Sequence, residues 1–250
     1  MKNLLSIFSR NSREAEGTGA RSTATHGAAP IGTDLPISGA RYVVFDTELT
    51  GLDERVDSIV SIGAVRMEGS RIMLGESFAS LVKPRTSMKG SSVVVHGITP
   101  DEVADRPAFA EVLATFLEYL GEDILVGHHL SIDLAFLERE ISASLGVCPL
   151  FRAVDTAVTF DWLNRQGVRH RCFRDARGSL RLADLAACFG IDTDGAHRAE
   201  MDAFITAQLF QRLLPLLASA GITTVRDLMK VGAPREGGGR GTLSAGISNF

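Results

Sequence analysis

The residues in this sequence best placed to do chemistry are carboxylates. Asp46 and Glu48 stand two apart in Phe45-Asp46-Thr47-Glu48-Leu49-Thr50-Gly51, directly after the apolar run Tyr42-Val43-Val44-Phe45. Residues two apart in a strand share a face, so two acids would project side by side from a strand's end. Like charges that close repel, and the pair is costly unless a cation sits between them. An ordinary solvated strand end would carry the same pair, so the spacing alone does not decide. Asp133 follows a second apolar run, in Val126-Gly127-His128-His129-Leu130-Ser131-Ile132-Asp133-Leu134. It lies near a helix start, where the helix dipole alone also favours an acid. The third group is His197-Arg198-Ala199-Glu200-Met201-Asp202. Five helical steps turn through roughly 500°, so His197 and Asp202 would not share a helix face. With His197 in the loop before the helix, and Gly195 supplying backbone freedom, the imidazole can fold back toward Asp202.

The elements that must position these groups follow from the apolar pattern. Tyr42–Phe45 fits a buried central strand. Val56–Met67 and Arg71–Val82 are further strand candidates around the hairpin-like turn Glu68-Gly69-Ser70. Thr99-Pro100-Asp101-Glu102 makes a helix start, and Phe109, Val112, Leu113, Phe116, Leu117 and Leu120 recur at helical spacing beyond it. Ile124–Val126 reads as a strand, Asp133–Leu145 as a helix, Ala153-Val154 as a short strand, and Leu180–Phe189 and Ala199–Leu217 as helices. Strands first, then alternating helices and strands, describe an α/β domain with a mixed sheet covered by helices. The domain is expected over residues 40–231, with flexible Gly-, Ala- and Ser-rich tails over 1–39 and 232–250. Within the first tail, Leu4, Leu5, Ile7 and Phe8 form either a short anchoring turn or a frayed end.

Composition sets the outer bounds. With 45% hydrophobic and 22% charged residues, the 250-residue chain has the balance of a soluble globular protein. A net charge of −4 gives no global basic coat, and a cation-holding acidic site would itself lower the total. Cys148, Cys172 and Cys188 are scattered without a paired spacing, which suggests neither a disulfide framework nor a zinc site. No apolar run is long enough to span a bilayer, and the expected location is the cytoplasm.

Taken together, D-x-E, D and H-x-x-x-x-D recur in order near element boundaries. Here the sequence resembles the DEDDh 3′-5′ exonuclease family, closest to domains of the DNA polymerase III epsilon type. The resemblance is carried by Phe45 through Gly51, Ile62-Gly63-Ala64, His96-Gly97-Ile98-Thr99, Val126-Gly127-His128 through Asp133, Asp155-Thr156 and His197 through Asp202-Ala203. It implies a ribonuclease H-like fold, a five-stranded mixed sheet flanked by helices. It also implies two divalent cations, Mg²⁺ or Mn²⁺: Asp46, Glu48 and Asp202 holding one, and Asp46 with Asp133 the other. His197 would be the general base, in two-metal-ion hydrolysis releasing nucleoside 5′-monophosphates. A tyrosine-type sister class would need tyrosine where this chain has Arg198.

Several contacts implied by the resemblance concern the substrate: Thr47, Leu49 and Thr50 near the terminal nucleotide, and His96, which either approaches that nucleotide or packs in its turn. The usual His-Asn pair is His128-His129 here; the asparagine's contact is in question, but His129 can still donate a hydrogen bond and is the substrate-contact candidate at that position. Arg165, Arg169, Arg171, Arg174, Arg177 and Arg181 are opposed only by Asp175. This segment is either a solvated loop or a phosphate track, with Arg169 and Arg171 as its candidates. The expected partner is a single-stranded nucleic acid 3′ end. DNA is the leading substrate and RNA the alternative, since the choice turns on a 2′-hydroxyl contact. A non-catalytic nucleic-acid-binding scaffold of the same fold is the other alternative, and the complete acid and histidine set argues against it. A proofreading role would require a DNA polymerase or replication partner. Gln208-Leu209-Phe210-Gln211 faintly resembles a sliding-clamp peptide, with helix-core packing as the competing explanation.

Overall fold

The computed structural model describes residues 34–147, 150–176 and 178–235. Its centre is strand β1 (Arg41–Leu49), whose residues from Tyr42 to Thr47 are all buried. β2 (Ile59–Glu68) runs antiparallel on one side of it, followed by antiparallel β3 (Arg71–Leu81). On the other side lie β4 (Ile124–Gly127) and β5 (Ala153–Asp155), both parallel. The order β3-β2-β1-β4-β5 is the expected five-stranded mixed sheet.

Strand alternation sends successive residues of β1 into two different cores. Tyr42 and Val44, with Val65, Met67, Val126 and Val154, face helix α8 (Ala199–Ser219) and its Phe210, Leu213 and Leu217. Helices α5 (Thr156–Arg165), α7 (Leu182–Phe189) and α9 (Val225–Gly232) complete that layer. Val43 and Phe45, with Ile62, Ala64 and Leu125, face α3 (Phe109–Leu120) and α4 (Ser131–Leu145). Each large apolar side chain fully buried this way is worth about 1.5–3 kcal/mol of transfer free energy. β1 is thereby held from both faces and carries its C-terminal end as a fixed platform.

The elements differ from expectation where local chemistry overrides periodicity. β2 begins at Ile59 rather than Val56, because Val56 and Asp57 return their N–H groups to the Asp53 carbonyl and make a turn. Thr99 starts only the single-turn α2 (Pro100–Val103), where its amide and hydroxyl both donate to Glu102 at 2.7 Å. Pro107, which lacks an N–H and disfavours helix in the residue before it, separates that turn from α3. Helices α1 (Gly90–His96), α5 and α6 (Arg171–Asp175) carry no clear apolar period and were not expected; α9 was not expected either, although its Val225, Leu228 and Met229 recur at helical spacing.

The domain edges also move outward. Ile37 is buried, its N–H donates to Thr223 O at 3.0 Å, and its carbonyl accepts from Tyr42 Oη at 2.9 Å. Residues 35–39 therefore belong to the domain and not to the N-terminal tail. Gly232 closes α9 and is buried against α5 and β5, so it too belongs to the domain. The rest of the expected tails, with Leu4, Leu5, Ile7 and Phe8, lies outside the described residues, apart from 34 and 233–235, as does Cys148. Leu209 and Phe210 are fully buried, and Phe210 meets the Tyr42 ring edge-on at 5.0 Å. Core packing thus accounts for the clamp-like motif. No helix among the described residues is long and apolar enough to cross a membrane.

Candidate active site

The alternation that fills the two cores also aims the acids. Asp46 and Glu48 continue the Tyr42–Val44 face, on which α8 lies. Asp202, in the first turn of α8, meets them there. One carboxylate oxygen from each of Asp46, Glu48 and Asp202 lies within 4.8 Å of the others. Asp133 approaches from the opposite layer, where α4 packs. Its Oδ1 accepts from Thr47 Oγ1 at 2.5 Å and from Thr47 N at 3.1 Å. Thr47 therefore anchors the fourth acid to the strand that carries the first two.

His197 takes up the position before the helix that the spacing required. Its φ is 68° and that of Gly195 is 80°, so two left-handed residues within three fold the chain back sharply. The His197 amide then donates to Asp202 Oδ2 at 3.1 Å. Histidine and acid thus come as one unit.

The loop between β4 and α4 is fixed by a residue without an assigned role in the sequence reading, Asp155. Its buried carboxylate accepts N–H bonds from His129 (3.2 Å), Leu130 (3.0 Å), Ala157 (2.8 Å) and Val158 (3.3 Å). It caps α5 and clamps the loop leading to Asp133 with the same oxygens. An Asp directly before Thr156-Ala157-Val158 was the available signal, an N-cap ahead of a helix that the periodicity did not reveal. His128 Nε2 lies 2.7 Å from the Leu180 carbonyl and Nδ1 lies 2.8 Å from Thr156 Oγ1. Burial, with a smaller contribution from neighbouring His129, lowers the His128 pKa to about 3. The ring is neutral, and the carbonyl selects the tautomer with hydrogen on Nε2. His129 Nε2 lies 3.1 Å from the same carbonyl.

The charge pattern is one-sided. Burial, then the neighbouring Asp133, Glu48 and Asp202, push the Asp46 carboxyl well above its ordinary range. Burial with Asp202 and Asp133 takes Glu48 to about 8. Burial takes Asp133 to about 7 despite the Thr47 bonds, and Asp202 to about 7 despite the His197 amide. The influences resolved on Asp46 and Glu48 are burial and neighbouring carboxylates, and all of them raise the two acids. A clustered, all-oxygen, uncompensated donor set suits a hard divalent cation such as Mg²⁺ or Mn²⁺.

The sequence matches the exonuclease family model RNase_T over residues 43–210, which contain all four acids and His197. The chain belongs to this exonuclease family. Among its relatives, a DNA polymerase III PolC-type protein of Thermotoga maritima is 30% identical over 201 residues, 80% of this chain and 14% of the relative. A DNA polymerase III subunit epsilon-like protein of Rhodobacter capsulatus is 36% identical over 195 residues, 76% of this chain and 26% of the relative. The chain thus spans about a quarter or less of the length of these two relatives. Among solved structures, E. coli exonuclease I in complex with a dT13 oligonucleotide aligns with a TM-score of 0.60 at 17% identity, over 73% of this chain and 42% of that one. Exonuclease X in complex with 5′ overhanging duplex DNA gives 0.55 at 22%, over 76% and 98%. The expected ribonuclease H-like fold is the fold observed.

The remaining sequence candidates divide. Leu49 ends β1 half-buried beside the acids. His96, closing α1, is buried; its Nδ1 accepts from Ile98 N at 3.1 Å, and its Nε2 has no hydrogen-bond partner among the described residues. Burial lowers its pKa, the Leu49 backbone opposes this, and the charge of His197 adds to it, which sets His96 near both residues. Thr50 is fully buried and bonds Asp57 Oδ1 at 3.2 Å and Ser58 N at 2.9 Å, so it organises the loop after β1. Arg169 and Arg171 are exposed, just before and at the start of α6.

Proposed function

We propose that this chain hydrolyses nucleotides one at a time from the 3′ end of single-stranded DNA, releasing nucleoside 5′-monophosphates. The observation that carries this reading is the convergence of Asp46, Glu48 and Asp202 to within 4.8 Å, with His197 tied to Asp202. Asp46, Glu48 and Asp202 would hold one divalent cation, and Asp46 with Asp133 a second. Bound there, the cations would supply Lewis-acid charge for phosphoryl transfer. The His197 imidazole would accept the proton of the attacking water as general base. Its placement on the Asp202 turn fixes the distance between base and ligand set. His96 Nε2 carries the ring hydrogen, since Nδ1 is an acceptor, but that atom is buried, so His96 acts by bracing the Leu49 end of β1. Leu49 offers the terminal nucleotide an apolar contact. Thr47 acts through Asp133, Thr50 through the loop it braces, and His129 through Leu180, each holding the pocket in place. Arg169 and Arg171 would meet the phosphates of the trailing strand.

A proofreading role would require a polymerase partner, a relation suggested by the names of the PolC-type and epsilon-like relatives. The test is release of mononucleotides from a 5′-labelled single-stranded DNA oligomer, with and without Mn²⁺, for the native chain, Asp46→Ala and His197→Ala. A ladder shortening from the 3′ end is expected, lost in Asp46→Ala and slowed about 10²-fold or more in His197→Ala. Absence of metal-dependent shortening of DNA by folded native protein would remove the proposal, and faster cutting of a matched RNA would reassign the substrate. Arg169→Ala with Arg171→Ala should raise KM and flatten its salt dependence; unchanged values would remove these two residues from the phosphate track.

A further inference from the structure

The acids that would hold cations come from two separate pieces of chain, the end of β1 and the first turn of α8. Something must set the gap between them. In the β1–β2 ladder the residue directly opposite Asp46 is Gly63. Val65 and Met67, two and four residues further on, lie in the core against α8, so position 63 faces the same helix. A Cβ at Gly63 would stand 2.2 Å from Glu200 N, 2.3 Å from Ala199 C and 2.4 Å from Glu200 Cα. All three are backbone atoms, so no side chain can swing away. The start of α8 rests on the bare backbone of β2, next to Asp46, three residues or fewer before Asp202.

The helix sequence fits this close approach. Around Asp202 its buried neighbours are Ala199 and Ala203, and larger buried side chains, Ile205, Leu209, Phe210, Leu213 and Leu217, come only beyond them. The small residues let the site end of the helix sit low, while the large ones fill the core further along.

We infer that Gly63 is a positioning residue of the active site, setting the spacing at which Asp202 and His197 meet Asp46 and Glu48. A methyl group there would force the helix start off the sheet by on the order of 1 Å, a misplacement that can cost about 10²-fold in rate. The inference rests on the cation-holding role given to these acids in the proposed function, but metal binding tests it separately from nucleolysis.

The experiment compares native chain, Gly63→Ala and Gly75→Ala by free-Mn²⁺ electron paramagnetic resonance, far-UV circular dichroism and steady-state cleavage of single-stranded DNA. Gly75 is the control, a glycine of β3 with nothing within 4 Å of a Cβ. Gly63→Ala should keep its circular dichroism, bind Mn²⁺ at least 10-fold more weakly and lose about 10²-fold in kcat, with little change in KM. Gly75→Ala should match the native chain. Native-like Mn²⁺ affinity in folded Gly63→Ala would overturn the inference, and so would a native chain that binds no Mn²⁺. Binding without cleavage by the native chain would instead count against the proposed reaction, leaving the Mn²⁺ comparison to decide the role of Gly63. Should Gly63→Ala fail to fold, Ala203→Val adds bulk beside Asp202; weakened Mn²⁺ binding supports the spacing role, and native-like binding overturns it.

Discussion

Two groups of buried acid lie close together in this sequence and are treated in opposite ways. Asp46 and Asp57 are almost equally hidden, at 5% and 3% exposure. Asp57 is surrounded by donors: Lys89 Nζ at 2.8 Å, Asp53 N at 3.0 Å and Thr50 Oγ1 at 3.2 Å. Burial opposes its charge, but these partners outweigh burial and hold its carboxyl below the ordinary range. Asp46 is pushed upward by burial and then by the neighbouring Asp133, Glu48 and Asp202. The protein solves the buried-charge problem at the loop after β1 and leaves it unsolved at the end of β1. An acid that the fold compensates serves the fold, and one left uncompensated is available to something from outside.

The largest effect should come from breaking the uncompensated set. Asp46→Asn should lower metal-dependent cleavage by on the order of 10³-fold or more. It should also raise the melting temperature of the metal-free protein by a few degrees, because one mutually repelling acid is gone. A lower metal-free melting temperature with intact cleavage would place Asp46 in the same structural class as Asp57. The converse substitution, Lys89→Ala, leaves Asp57 buried with one strong partner missing. A loss of about 1–3 kcal/mol is expected in urea unfolding, with Mn²⁺ affinity unchanged; a fall in Mn²⁺ affinity instead would show that the two regions are not independent.

The smallest effect is in pH dependence, and the two regions predict opposite signs. Glu48, Asp133 and Asp202 have folded-state values of about 8, about 7 and about 7, above their unfolded ones. Their contribution is fully present below the unfolded carboxylate range and is lost as pH rises through about 7–8. The metal-free protein should therefore melt higher at pH 5.5 than at pH 8.5, and saturating Mg²⁺ should flatten or invert that slope. Asp57 is lowered, so its contribution is present above the unfolded value of about 3.9 and disappears as pH falls through its folded value. Lys89→Ala should move the acid-side loss of stability to higher pH, since Asp57 then keeps only its Asp53 and Thr50 donors. Calorimetric scans from the acid side up to pH 8.5 check both signs.

The acids were legible in the sequence because strand periodicity and element boundaries constrain where a side chain can point. D-x-E after an apolar strand already puts Asp46 and Glu48 on one face, and Gly195 before His197 already allows the fold-back onto Asp202. What escaped was carried by single polar residues acting over long separations. Asp155 clamps a loop 25 and 26 residues earlier in the chain, and Thr47 holds an acid 86 residues away. No periodicity encodes such contacts. Thr50 and His129 have motif positions of substrate contacts, and in the fold Thr50 Oγ1 bonds Asp57 and Ser58 while His129 Nε2 lies by the Leu180 carbonyl, contacts that motif position does not encode. The helices that were not anticipated are short or lack a regular apolar stripe, and they are helical because of caps such as Asp155 and Thr224.

The Leu180 carbonyl has a consequence for how the protein responds to its surroundings. Leu180 lies within the arginine-bearing stretch, and the neutral His128 ties it to the chain leading to Asp133. With a pKa of about 3, that imidazole does not change state between mild acid and alkali. The tie therefore behaves as a fixed strut while the carboxylates beside it gain and lose protons. Acidification would empty the pocket of charge without letting the arginine stretch drift away, so returning to neutral pH should restore the whole arrangement without a slow refolding step.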